Sequence, residues 1–101
     1  MELNQSWKDR TFRITDHAAF EIKRRGLDVD IINRILSAPG QVREVRPGRN
    51  VFQSIISLGD PPRDYLIRIF VDTDRDPLEV VTVYKTSKIS KYWRADNESN
   101  V

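Results

Sequence analysis

The chain has 101 residues, of which 39% are hydrophobic and 32% charged, and a formal net charge of +2; this is long enough for one modest core and too short for two domains. It contains no cysteine and one histidine, His17, which excludes disulfides, thiolate zinc sites, a cysteine nucleophile and a multi-histidine metal centre. No apolar run approaches bilayer-spanning length, and the opening MELNQSWKDR lacks the apolar core of a signal peptide, so the expected location is the cytoplasm with no membrane association.

Residues 1–10 are polar apart from Leu3 and Trp7 and show no period; either they fray or Trp7 anchors them. Residues 12–14 suggest a short extended piece. Thr15 or Asp16 then offers an oxygen to cap a helix whose buried side carries Ala18, Ala19 and Ile22, and Gly26 is placed to end it in the left-handed conformation. Asp28 reads as the cap of a second helix, with Leu27 stapled on Ile32 and a stripe of Ile31, Ile32, Ile35 and Leu36 ending at Ala38 before Pro39-Gly40. Two short helices so tightly linked form a bent pair over something larger.

That larger element is a sheet. A weak strand over 41–46 precedes Arg46-Pro47-Gly48-Arg49, a good type II turn. Strands over 51–58, 65–72 and 78–85 follow, joined by the loop 59–63 and the turn 73–77, and such short links give an antiparallel meander. The expected class is α+β, with two N-terminal helices packed on one face of a roughly four-stranded antiparallel meander sheet and a short C-terminal helix or turn. The ordered core is expected over 12–94, and the polar tail 95–101 is expected to lack order. Tyr65, Ile67, Ile69 and Val71 share one face of the third strand, while Arg68 stands on the other. On the fourth strand Val81 and Val83 are assigned to the helices, which sends Thr82 and Tyr84 to the open face with Arg68.

The final stretch, 78–94, turns from a β-branched strand into a segment where Lys85, Lys88, Lys91 and Arg94 recur without an acidic residue, among Tyr84, Tyr92 and Trp93. That spacing suits a polyanion, with phosphates on the cations and bases on the rings, which marks Lys88, Lys91, Tyr92 and Arg94 as RNA-binding candidates. It equally suits a solvated turn whose lysine stems cover Ile89 and Trp93. His17, whose residue type suits proton transfer near neutral pH, falls on a stripe with Glu21 and Arg24; the stripe is either an acid–base site with a phosphate-pairing arginine or a solvated face with an ion pair. Arg68 either clamps a phosphate or pairs with a neighbouring carboxylate. The acidic run 72–76 lacks the glycine and glutamate of a calcium loop and reads as a capped turn.

His17, Arg24-Arg25-Gly26-Leu27, the Pro39-Gly40 break, Gly48, residues 65–70, Thr82-Val83-Tyr84, Lys88 and Tyr92-Trp93 together resemble a bacterial domain-of-unknown-function family allied to the BrnT and RelE/ParE-type toxins of toxin–antitoxin systems. The resemblance spans roughly residues 14–93. It implies a RelE-like fold and a toxin-like, metal-independent endoribonuclease without cofactor, acting on RNA and inhibited by a cognate antitoxin protein. By position it implies catalytic roles for His17, Arg24, Arg68, Tyr84 and Lys85, one group moving the 2′-hydroxyl proton while cations stabilise the phosphorane. The alternative on the same fold is a non-enzymatic binding module that inhibits a protein target or serves a mobile element.

Overall fold

The computed structural model describes residues 10–94; the expectations for Trp7 and for the tail 95–101 lie outside the described residues. The chain runs β1 (Phe12–Ile14), α1 (Asp16–Arg24), α2 (Val29–Ser37), β2 (Gln41–Arg46), β3 (Arg49–Leu58), β4 (Arg63–Asp72), β5 (Leu78–Thr86) and α3 (Ile89–Tyr92). The strands form one five-stranded sheet in the order β1-β5-β4-β3-β2.

The cap residues act as the sequence predicts. Thr15 accepts the Ala18 amide at 3.1 Å, and Asp28 accepts that of Ile31 at 3.0 Å, each satisfying one of the free donors at a helix start. Gly26 follows α1 with φ +70°, a value that costs a side-chain-bearing residue strain. Its amide bonds back to the Lys23 carbonyl, so the chain reverses there and sends Leu27, buried, into the core ahead of α2.

The sheet has five strands rather than four, and the meander is not wholly antiparallel. Residues 12–14 pair parallel to β5, Phe12 with Leu78 and Ile14 with Val80, and the Leu78 amide donates to the Thr11 carbonyl. Three residues are too few to show a period of two, and their partner is remote in sequence, so only the apolar Phe12 and Ile14 hinted at the pairing. A helix pair thus lies between the first strand and the other four.

The helices cover one face. Ala18, Ile22, Leu27, Ile32, Ile35 and Leu36 meet Phe52, Ile67, Ile69, Val71, Leu78, Val80 and Val83 in one cluster, with Phe12, Ile14 and Tyr65 packed against it. On β5 the assignment of Val81 to this face needs correction. Register shifts between Phe70 and Val71, which pair with Thr82 and Val80, so Val81 occupies a bulge. The extra residue lets Leu78, Val80 and Val83 all reach the core while Thr82 and Tyr84 keep the opposite face.

Candidate functional site

The face away from the helices carries an unbroken row across four strands. Gln41 of β2 pairs with Gln53 of β3, Gln53 with Arg68 of β4, and Arg68 with Tyr84 of β5. The adjacent row is Arg43, Val51, Phe70 and Thr82. Directly opposed side chains on one face stand close enough to touch, and in this row they form a polar chain. Arg68 Nε donates to Gln53 Oε1 at 2.9 Å, and Gln53 Nε2 donates to Gln41 Oε1 at 2.8 Å and to the Tyr92 carbonyl at 3.3 Å.

The chain after β5 folds across this row. Thr86 Oγ1 accepts the Lys88 amide at 3.0 Å and the single turn α3 follows. Tyr92 then lies with its ring centroid 4.3 Å from the Arg68 guanidinium carbon and 6.1 Å from the Tyr84 ring, edge to face. Gln41 Nε2 donates to the Arg94 carbonyl. The indole of Trp93 lies over Gly40, where a Cβ would come within 2.8 Å of the ring. Gly40 therefore serves as the seat for Trp93.

Arg68 is held in an unusual electrostatic setting. It is half-buried between the rings of Phe70, 5.2 Å away, and Tyr92, and among the described residues no carboxylate stands within ion-pair distance of it. Burial lowers its proton affinity, Tyr92 and Tyr84 partly offset that, and the charge of Arg43 adds to it. Tyr92 is more acidic than an ordinary tyrosine, first because of its hydrogen bond with Tyr84, and further because of Lys91 and Arg68. The site is thus a cationic patch with two phenols, in which no carboxylate among the described residues pairs with Arg68.

The remaining candidates divide between two places. His17 and Arg24 stand exposed on α1. Glu21 joins Arg24 to the open face: it accepts from Arg24 and Arg25, each at 3.2 Å, and the Arg25 guanidinium lies 5.3 Å from the Tyr84 ring. The Arg24 hydrogen bond holds the Glu21 carboxyl below its usual range, against burial, and the charge of His17 contributes in the same direction. Lys85, next to Tyr84, points to the opposite face, where its Nζ donates to the Arg25 carbonyl at 3.0 Å and lies 5.0 Å from the Tyr65 ring; it caps the C-terminal end of α1. Lys88, Lys91 and Arg94 are exposed along the C-terminal segment.

The structure therefore brings together Arg68, Tyr84 and Tyr92, with Lys91 beside them, and does not place His17, Arg24 or Lys85 against Arg68. Arg25, Gln41, Arg43 and Gln53 join the site unannounced by the sequence reading. Gln53 had a signal, a long polar side chain directly after the apolar pair Val51-Phe52, and alternation from Arg68 would have found its row. Arg25 had a weaker one: it continues the Ala18 and Ile22 stripe at helical spacing, whereas Arg24 falls on the exposed side.

This is a small α+β domain with one sheet face given to helices and the other to a basic, tyrosine-bearing surface. The chain belongs to the family described as Domain of unknown function (DUF4258), whose match covers residues 14–85. No curated protein and no solved structure matches it significantly. The match takes in Arg68 and Tyr84 and ends before Tyr92.

Proposed function

We propose that the open sheet face binds RNA and that the protein is a toxin-like, metal-independent endoribonuclease, akin to the BrnT and RelE/ParE-type toxins and held in check by a cognate antitoxin. The observation that carries this reading is Arg68, a half-buried guanidinium without a carboxylate partner among the described residues. A desolvated cation in that state favours an incoming anion, and a phosphodiester fits its remaining donors. Arg43 and Lys91 extend the positive surface for neighbouring phosphates, and the half-buried rings of Tyr92 and Trp93 suit base stacking.

The chemistry follows from that binding pose. The 2′-oxygen attacks phosphorus and gives up its proton to a base; Arg68 stabilises the charge that accumulates on the non-bridging oxygens; the P–O5′ bond breaks and the 5′-oxygen takes a proton from an acid. The products are a 2′,3′-cyclic phosphate and a 5′-hydroxyl, with protons balanced. Tyr92, with its raised acidity, and Tyr84, whose ring meets it edge to face, are the proton-moving groups nearest Arg68. Arg24 acts from the neighbouring helix, where Glu21 and Arg25 connect it to Tyr84, and His17, on the same helix, contributes its charge near Glu21. An antitoxin would cover this face and the exposed Lys88 and Lys91.

The test is induction of wild type, His17→Ala, Arg68→Ala and Tyr92→Phe from a tightly repressed promoter, comparing growth with total-RNA ends. Growth arrest with new cyclic-phosphate ends, lost in Arg68→Ala and weakened in Tyr92→Phe, supports the reading. Loss in His17→Ala alone would move the proton chemistry to α1. Arrest with intact RNA in all four would instead favour the non-enzymatic inhibitor.

A further inference from the structure

Of the buried polar side chains among the described residues, Gln53 is the most enclosed, at 0% exposure. A buried amide must find partners for both its oxygen and its nitrogen. Oε1 accepts from Arg68 Nε, directly opposite on β4, while Nε2 donates to Gln41 Oε1, directly opposite on β2, and to the Tyr92 carbonyl. The two ends fix the direction of this chain of bonds. An arginine N–H only donates and a carbonyl only accepts, so one orientation of the Gln53 amide serves both.

The same two strands hold a second arginine in the other way. Four residues before Gln53 on β3 and on the same sheet face, Arg49 stands opposite Asp72 of β4, whose carboxylate takes its Nε at 2.7 Å and its Nη2 at 3.2 Å. That pair is closed: a counter-charge occupies the fork of the guanidinium. Gln53 instead takes Nε alone and brings no charge, and among the described residues neither Nη of Arg68 is in a hydrogen bond. The proton affinities diverge accordingly. That of Arg49 is raised, first by its hydrogen bond with Asp72, and that of Arg68 is lowered, first by burial.

We propose that Gln53 is the positioning residue of an oxyanion site on Arg68: its amide holds the guanidinium by Nε without neutralising it, and ties it to the C-terminal segment through the Tyr92 carbonyl. Holding by Nε leaves the Nη1–Nη2 edge, which suits an anion that offers two oxygens side by side. A phosphodiester is such an anion, and its identity as RNA rests on the function proposed above. No other side chain of this length does the same work. A glutamate at 53 accepts from Arg68 but cancels its charge and has no N–H for Gln41 or Tyr92; a methionine leaves the charge and loses every bond.

The test follows the arginine Nε–Hε resonances of the isotope-labelled full chain, that of Arg68 being identified by its loss in Arg68→Met, while inorganic phosphate and, separately, a single-stranded RNA oligonucleotide are added. Wild type is expected to show a slowly exchanging Arg68 Nε–Hε that shifts with either ligand. Gln53→Glu is expected to keep the slow exchange and to bind phosphate at least about tenfold more weakly. Gln53→Met is expected to exchange fast and to bind more weakly than wild type but more tightly than Gln53→Glu. Urea midpoints of the same samples separate this from packing: affinity follows the charge beside Arg68, whichever variant is the less stable. A wild-type Arg68 that phosphate does not move, equal phosphate affinity in wild type and Gln53→Glu, or equally fast exchange in wild type and Gln53→Met overturns the proposal. An Arg68 that answers phosphate and not RNA, with the variants as expected, supports the role of Gln53 and overturns the RNA reading instead.

Discussion

The guanidinium of Arg68 sits 4.3 Å from the centroid of the Tyr92 ring, so a residue in the middle of the sheet and one in the last described turn form a single cationic, aromatic unit. This contact closes the C-terminal segment over the open face, and no carboxylate among the described residues pairs with the arginine. The arrangement separates what Arg68 does for stability from what it would do for the proposed RNA binding.

Replacing Arg68 by Met tests that separation. Removing a desolvated, unpaired charge relieves a penalty and forfeits the ring contact and one hydrogen bond to Gln53, so the unfolding free energy should stay within about 1 kcal/mol of wild type. Affinity for a single-stranded RNA oligonucleotide should fall at least tenfold at low salt, with a shallower salt dependence. Urea denaturation and fluorescence anisotropy measure the two quantities. A large stability loss with unchanged RNA binding would make Arg68 a packing residue.

Gly40 faces a different constraint. A methyl group there would come within 2.8 Å of the Trp93 indole and 3.2 Å of the Gln53 carbonyl, so Gly40→Ala should cost about 1–3 kcal/mol through overpacking. In a Trp93→Leu background most of that cost should disappear, which a double-mutant cycle in urea detects. If the cost is the same in both backgrounds, the Gln53 carbonyl and not the indole is the obstacle.

Local chemistry made much of the fold readable. Thr15, Gly26 and Asp28 each act within a few residues of themselves, and alternation in β4 separates Ile67 and Ile69 from Arg68 without knowledge of the partner strands. What escaped were relationships across the chain. The parallel pairing of Phe12 with Leu78, the bulge at Val81 and the seating of Trp93 on Gly40 depend on how distant segments meet. The site followed the same rule: Arg68 and Tyr84 were legible from strand period, while Lys85, the next residue along, necessarily faced the other way.

Acid stability should depend on Asp72 and Glu21. The hydrogen bonds from Arg49, at 2.7 and 3.2 Å, hold the Asp72 carboxyl below its usual range, and Arg24 does the same for Glu21. A carboxyl depressed in the folded state stabilises fully above its unfolded value, near 4, and loses that contribution as pH falls through its folded value. Asp72→Asn should therefore lower stability at neutral pH by roughly 1–2 kcal/mol and flatten the loss seen on acidification below about pH 4.5. Urea midpoints across the acid range provide the measurement, and parallel curves for wild type and variant would show that Asp72 is not the titrating group.

Tyr92 should reveal itself at the alkaline end. Its hydrogen bond with Tyr84, then Lys91 and Arg68, favours the phenolate, so the folded chain should show a phenolate absorbance step below the ordinary tyrosine value of about 10. Tyr92→Phe should remove that step, and Tyr84→Phe should move it upward, because the first of the three influences is gone. The sign for stability follows from the lowered folded value: the contribution is present above the unfolded value and is lost as pH falls through the folded one. If the chain cleaves RNA through Tyr92, the rising limb of its pH–rate profile should shift upward in Tyr84→Phe in step with the absorbance. A rate profile that stays fixed while the phenolate step moves would mean that Tyr92 seats the C-terminal segment and carries no proton.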